Sequence, residues 1–290
     1  MKNKELFVKF GEVARRNLNK IFFTLFLIVI LESLCSAAFI GTSFFLNSQE
    51  EISGAGTFLS YLLMFCGVFF WFMFLGGFSV MLLRMVRNEF VTLGFLFYGF
   101  RKFRQIAPAA FLYTLLTGLC AAVTAGAMYF VSKANPGFIP LLQAQFGERA
   151  FFYLLLIFSF VLFFLLCFPQ VFLFFLRYDN PKRNVVSLGF LSTKLLLKNV
   201  FRFIGFVLTA CGRNLILAVF YFGITLSFSD AQKDSVLQFF SLVFDFLYFV
   251  NFYKALSLAS LAVPFFYEEL RKPSIELIVS LEKSGEDGSN

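Results

Sequence analysis

The run FFYLLLIFSFVLFFLLCFPQVFLFFL, residues 151–176, contains no charged side chain, and its reading decides the fold. A helix rises about 1.5 Å per residue and satisfies its own backbone hydrogen bonds, so about twenty apolar residues cross the ~30 Å core of a bilayer. This run is long enough to cross and too apolar to face water. Working outward, five further stretches share its character, at 21–45, 57–83, 107–132, 201–228 and 236–266. The expected fold class is all-α: a polytopic membrane helix bundle of six transmembrane helices with amphipathic cytoplasmic loop helices. Residues 1–272 form one membrane domain in this reading, and 273–290, ending in EKSGEDGSN, a short disordered cytoplasmic tail.

Composition agrees. Of 290 residues 59% are hydrophobic and 14% charged, where a soluble domain carries about a quarter charged residues. Phenylalanine supplies 49 residues and reads as lipid-facing filler rather than an aromatic ligand cage. Histidine is absent, which excludes catalytic triads and metal sites built on imidazole. The five cysteines, Cys35, Cys66, Cys120, Cys167 and Cys211, lie inside apolar runs without a CxxC pair, so neither a disulfide framework nor a zinc site is expected. There is no nucleotide-binding glycine loop, no HExxH and no dense aspartate cluster. The expectation is a protein that is not an enzyme, with no catalytic residues, cofactor or metal.

The formal net charge of +8 is explained by position. Six Lys and Arg precede the first span, five lie in 84–106, six in 177–202 and three in the tail, while the alternate segments hold only Lys133, Arg149 and Lys233. The positive-inside rule then puts both termini in the cytoplasm, which requires an even number of spans. The surplus points to anionic membrane lipids as partners and to no nucleic acid. The basic N-terminus is too long for a signal peptide and Glu32 interrupts the apolar run, so the first span is expected to be retained.

Val91-Thr92-Leu93-Gly94-Phe95-Leu96 recurs as Val186-Ser187-Leu188-Gly189-Phe190-Leu191. Each copy follows a span, precedes a basic stretch and leads into the next span. The pattern suggests a duplicated hairpin and two amphipathic helices lying at the cytoplasmic surface. They read either as plain connectors or as docking sites for a protein partner.

Three groups of residues also carry a family resemblance. They are Gly76 to Leu93 with its Arg87, Asn88 and Glu89 turn, followed by Gly99, Phe100 and Phe103; Leu165, Leu166 and Pro169 with Arg177, Tyr178, Asn180 and Pro181; and Pro264 with Phe266, Tyr267, Glu268 and Glu269. In these the chain resembles an uncharacterised family of bacterial six-span integral membrane proteins related to the membrane domain of glycerophosphoryl diester phosphodiesterases. Gln170 stands where that group commonly has glycine, and no phosphodiesterase domain is attached. The resemblance implies an envelope or lipid-associated module of the bacterial cytoplasmic (inner) membrane.

Charged residues inside apolar spans cost at least ~2.5–3.5 kcal/mol each and call for partners or water. Glu32 and Arg213 both fall near the midplane, which predicts an ion pair between spans one and five. Ala210-Cys211-Gly212-Arg213-Asn214 is small and polar enough for a broken helix. Asp245 and Lys254 cannot both be central in one span, and Asp245 is the one expected to be buried. Pro169 and Pro264 are expected to kink their helices, with Gln170 reaching a freed carbonyl. The first functional expectation is an accessory or scaffold module whose polar pair is structural. The alternative is a permease-like subunit or small transporter in which Glu32, Arg213, Asn214, Asp245 and Lys254 line a polar midplane path.

Overall fold

A computed structural model describes residues 3–47, 54–134, 150–228 and 235–286. Every regular element among them is helical: α1 (Asn3–Asn47), α2 (Gly54–Val86), a 3₁₀ turn (Leu93–Phe97), α3 (Tyr98–Arg101), α4 (Phe103–Ala134), α5 (Ala150–Cys167), a second 3₁₀ turn (Phe168–Gln170), α6 (Leu173–Asp179), α7 (Val185–Phe228) and α8 (Ser235–Glu286). Five described stretches are long and apolar enough to cross a membrane: Phe58–Val86, Phe103–Val131, Ile157–Asp179, Val185–Ile224 and Leu242–Arg271. The remaining expected span, 21–45, runs through α1, and much of its side-chain detail lies outside the described residues. Helix α8 continues to Glu286, into the stretch expected as a disordered tail.

Large apolar side chains such as Phe58, Met64, Ile157, Leu165, Ile216, Phe220, Leu242 and Phe246 are exposed on these helices. So much apolar surface is stable against lipid and not against water. The protein is membrane-embedded in its physics.

The chain divides into two units. Unit 1 takes residues 1–31, 78–96 and 194–290; unit 2 takes 32–77 and 97–193.

In unit 1, α1 buries Leu6, Phe10, Val13, Asn17, Ile21, Thr24 and Ile28, at steps of three and four that mark one helix face. Phe10 meets Phe206 of α7 and Phe265 of α8 with ring centroids 5.5 and 5.7 Å apart. Twelve residues further along α1, Phe22 meets Tyr253, twelve residues back along α8, so the two helices run antiparallel. Thr24 reaches Met81 and Arg16 reaches Asn88, which sets α1 antiparallel to the end of α2 as well.

In unit 2, Tyr113 of α4 stacks between Phe72 of α2 and Phe174 of α6 at 5.0 and 5.1 Å. Gly76 and Gly99 permit the close approach. A Cβ on Gly76 would sit 2.6 Å from Ile106, and one on Gly99 would collide with the backbone oxygen of Met73.

Pro169 breaks the run from which the fold was read. Lacking an N–H, it ends α5, and the freed polar groups find other partners. Ser192 Oγ donates to Pro169 O at 2.9 Å and accepts from Phe172 N at 3.2 Å, while Tyr113 Oη donates to Gln170 O. Gln170 itself donates to Thr193 at 3.0 Å, so the expectation that it serves a freed carbonyl is corrected: Ser192 and Tyr113 do so. No comparable break occurs at Pro264, which is buried within the continuous α8.

The repeated hexamers fold differently. Asn184 caps α7, accepting from Val186 N at 3.0 Å through its side chain, so 186–191 is α-helical. Residues 91–96 follow a left-handed turn, begin without helix and enter only a 3₁₀ turn. A pair of matching surface helices is therefore not what the two copies form.

Candidate functional site

The residues that converge lie in unit 1, where α2 ends. Asn88 adopts φ 58°, a left-handed conformation that asparagine tolerates better than other residues with a Cβ. Its N–H donates to Met85 O at 3.1 Å and that of Glu89 to Arg84 O at 2.9 Å, the paired bonds of a Schellman cap. Such caps usually add an apolar contact between the residues flanking the turn. Here Arg84 and Glu89 form an ion pair at 2.5 Å instead, with the Arg84 guanidinium 4.4 Å from the Phe95 ring centroid.

The turn aims its side chains at two other helices. Asn88 Oδ1 accepts from Arg16 of α1 at 2.7 Å. Arg87 binds Glu268 of α8 through Nη2 at 2.5 Å and Nε at 2.6 Å, and Arg271 lies 3.5 Å from the other oxygen of Glu268. The next residue, Glu269, pairs through Oε1 with Arg202 of α7, whose guanidinium lies 5.8 Å from the Phe266 ring centroid. Arg87 ties α2 to α8, Arg202 ties α7 to α8, and the Arg16 bond to Asn88 adds α1. The Arg87–Glu268 pair is half-buried, its partners keeping 16% and 23% of their side-chain surface, so it is screened less than an exposed surface pair.

Beside this clamp lies a cavity of about 510 Å³, open to the surface. Leu6, Lys9, Glu12, Val13 and Arg16 of α1 line one side, and Val86, Asn88, Phe265, Glu268 and Glu269 the other. The acids of α8 are already engaged by arginines, although Glu269 Oε2 is buried without a hydrogen-bond partner. Residues 91–93 of the first hexamer line a second cavity of about 400 Å³, with Lys20, Phe23, Thr24, Met81 and Met85.

A second polar knot lies in unit 2. Arg177 is buried and donates to the backbone oxygens of Gln105, at 2.8 Å, and Arg183. Gln105 returns a bond to Tyr178 O at 3.2 Å and accepts one from Tyr98 at 3.2 Å. With Nε, Nη1 and Nη2 each turned to a backbone carbonyl, Arg177 is a structural pin.

The residues singled out by intramembrane charge do not gather in this way. Arg213, Asp245 and Lys254 are exposed and Asn214 is buried. The Glu32 side chain lies outside the described residues, and with it the expected pair to Arg213. Helix α7 is unbroken at Gly212 and Arg213; its non-helical residue is Asn199, with φ −125° and ψ 16°. Asp245 is exposed rather than buried. With Glu268 among the arginines at the end of its span, Asp245 falls 23 residues back, about 35 Å, near the opposite end of α8.

The clamp was only half visible in the chain. Arg87, Asn88, Glu89, Glu268 and Glu269 stand out as motifs, but Lys9, Arg16 and Arg202 appear in the sequence only as part of a charge surplus, and Glu12 does not stand out. The available signal was the Arg-Asn-Glu turn closing an apolar span, matched by Glu-Glu closing another. Comparison with models of known families, with curated proteins and with solved structures finds no match.

Proposed function

We propose that this chain is a non-enzymatic, six-span protein of the bacterial cytoplasmic membrane with both termini in the cytoplasm, serving as an accessory or scaffold module in envelope or lipid-associated processes. The observation that carries the topology is the hydrogen bond from Arg16 to Asn88. Two residues in contact lie on one side of a bilayer, so an even number of crossings separates them. Helix α2 supplies one, and α1 must supply the other. The pairing of Arg87 with Glu268 makes the same demand of the later chain, where four apolar stretches intervene.

The scaffold reading is supported by where the charges go. Arg84, Arg87, Arg177 and Arg202 are spent on ion pairs and carbonyls that hold turns and helices in place, a use that fixes architecture. The residues carrying the family resemblance are largely the same ones, which fits a shared structural frame. A protein partner at the 91–96 and 186–191 segments remains part of this proposal.

The competing reading is a permease-like subunit with a polar path past Glu32 and Arg213. Cys35, three residues from Glu32 on the same helix, separates the two. In a variant retaining only Cys35, protection from a small hydrophilic thiol reagent on both sides of sealed vesicles, with labelling on denaturation, is the expected result. Rapid labelling of the folded protein contradicts the scaffold reading and favours the path.

A further inference from the structure

The cavity beside the clamp is lined by charge of both signs. Arg16 spends one N–H on a neutral amide, which leaves its charge uncompensated, and no ion pair to Lys9 is formed among the described residues. Glu12, between them on α1, likewise has no ion pair among the described residues. An unpaired carboxylate is answered by a small cation with N–H donors. A phosphate on Lys9 and Arg16 answers the opposite charge, because cations at a membrane surface bind phosphoryl oxygens through charge-assisted hydrogen bonds.

We propose that this cavity binds a phosphoethanolamine group: a phosphodiester or phosphomonoester held by Lys9 and Arg16, with its primary ammonium on Glu12. Three observations favour this ligand over its relatives. A purely anionic group leaves Glu12 unanswered. A quaternary ammonium offers no N–H and prefers a cage of several aromatic rings, whereas Phe265 is the one ring among the lining residues. The site also adjoins the ends of the apolar stretches Phe58–Val86 and Leu242–Arg271, the depth at which headgroups lie. The ligand's source is a phospholipid of the surrounding leaflet or a free phosphoethanolamine ester. The assignment goes beyond the scaffold proposal and holds whether or not the spans enclose a path.

The test uses the full chain in detergent, with thermal stabilisation as the readout of binding. The probes are short-chain phosphatidylethanolamine, phosphatidylcholine and phosphatidylglycerol, together with free phosphoethanolamine and inorganic phosphate. Saturable binding of the ethanolamine lipid, about tenfold tighter than the choline or glycerol lipid, is expected, a difference of about 1.4 kcal/mol. Equal binding of free phosphoethanolamine supports the site with a soluble source; binding of the lipid alone supports it with a membrane source. Lys9→Gln with Arg16→Gln, and separately Glu12→Gln, are expected to weaken binding by about tenfold or more. Glu12 makes no ion pair among the described residues, so its substitution leaves the clamp intact. No binding, equal binding of all three lipids or of inorganic phosphate, or unchanged affinity in both variants overturns the proposal.

Discussion

Arg87 and Glu268 stand 181 residues apart in the chain and 2.5 Å apart in space, the guanidinium meeting one carboxylate oxygen through two nitrogens. The pair joins the turn after one apolar helix to the end of another, and Arg271 shares the same carboxylate. Because both partners are half-buried, the pair gains more than a surface pair while keeping part of its hydration. A double-mutant cycle with Arg87→Gln and Glu268→Gln in a denaturant titration is expected to give a coupling of about 1–2 kcal/mol. Additive effects would mean that the two side chains do not stabilise one another.

Asn88 separates backbone from side-chain effects. Asn88→Ala keeps a Cβ at positive φ and loses the bond to Arg16, for an expected cost of about 1–2 kcal/mol. Asn88→Gly loses the same bond but relieves the backbone, and is expected to stay within about 0.5 kcal/mol of the parent. Equal costs in thermal unfolding would place the turn outside the left-handed region.

The break at Pro169 rests on one hydroxyl. Ser192 is fully buried and both donates to Pro169 O and accepts from Phe172 N. Ser192→Ala orphans both groups and is expected to cost about 2 kcal/mol, with Tyr113→Phe costing about 1 kcal/mol through the Gln170 carbonyl. The two are neighbours around one break, so the double variant is expected to depart from additivity in the same unfolding assay.

Two glycines should respond oppositely to alanine. Gly99→Ala drives a methyl into the Met73 carbonyl, a backbone group that cannot step aside, and is expected to cost about 3 kcal/mol or prevent folding. Gly11→Ala, on the exposed side of α1 with open space around it, is expected to be neutral or to stabilise by about 0.5–1 kcal/mol. Expression yield and melting temperature of the two variants check the contrast.

Much of the architecture was legible in the chain because lipid imposes a simple rule: long uncharged runs such as 151–176 must be helical. The same rule misled on detail. Hydropathy treats residues 91–96 and 186–191 as alike, yet the first follows a left-handed Asn88 turn and the second an Asn184 cap. The pull of intramembrane charge drew attention to Arg213, Asp245 and Lys254, which are exposed, and away from Arg16 and Arg202, whose places among other basic residues look ordinary in sequence. Convergence of Arg16, Asn88, Glu268 and Arg202 depends on which helix ends meet. No spacing along a single helix reveals that.

The central claim is that α1 and α2 form a pair of antiparallel crossings, bringing the start of the chain and the Asn88 turn to the same side of the membrane. In a cysteine-free background, single cysteines at Glu5, Phe90, Gln145 and Lys233 can be labelled from each side of sealed, oriented vesicles with an impermeant thiol reagent. The account predicts labelling of positions 5 and 90 from the cytoplasmic side and of 145 and 233 from the other. Labelling of 5 and 90 from opposite sides would contradict it.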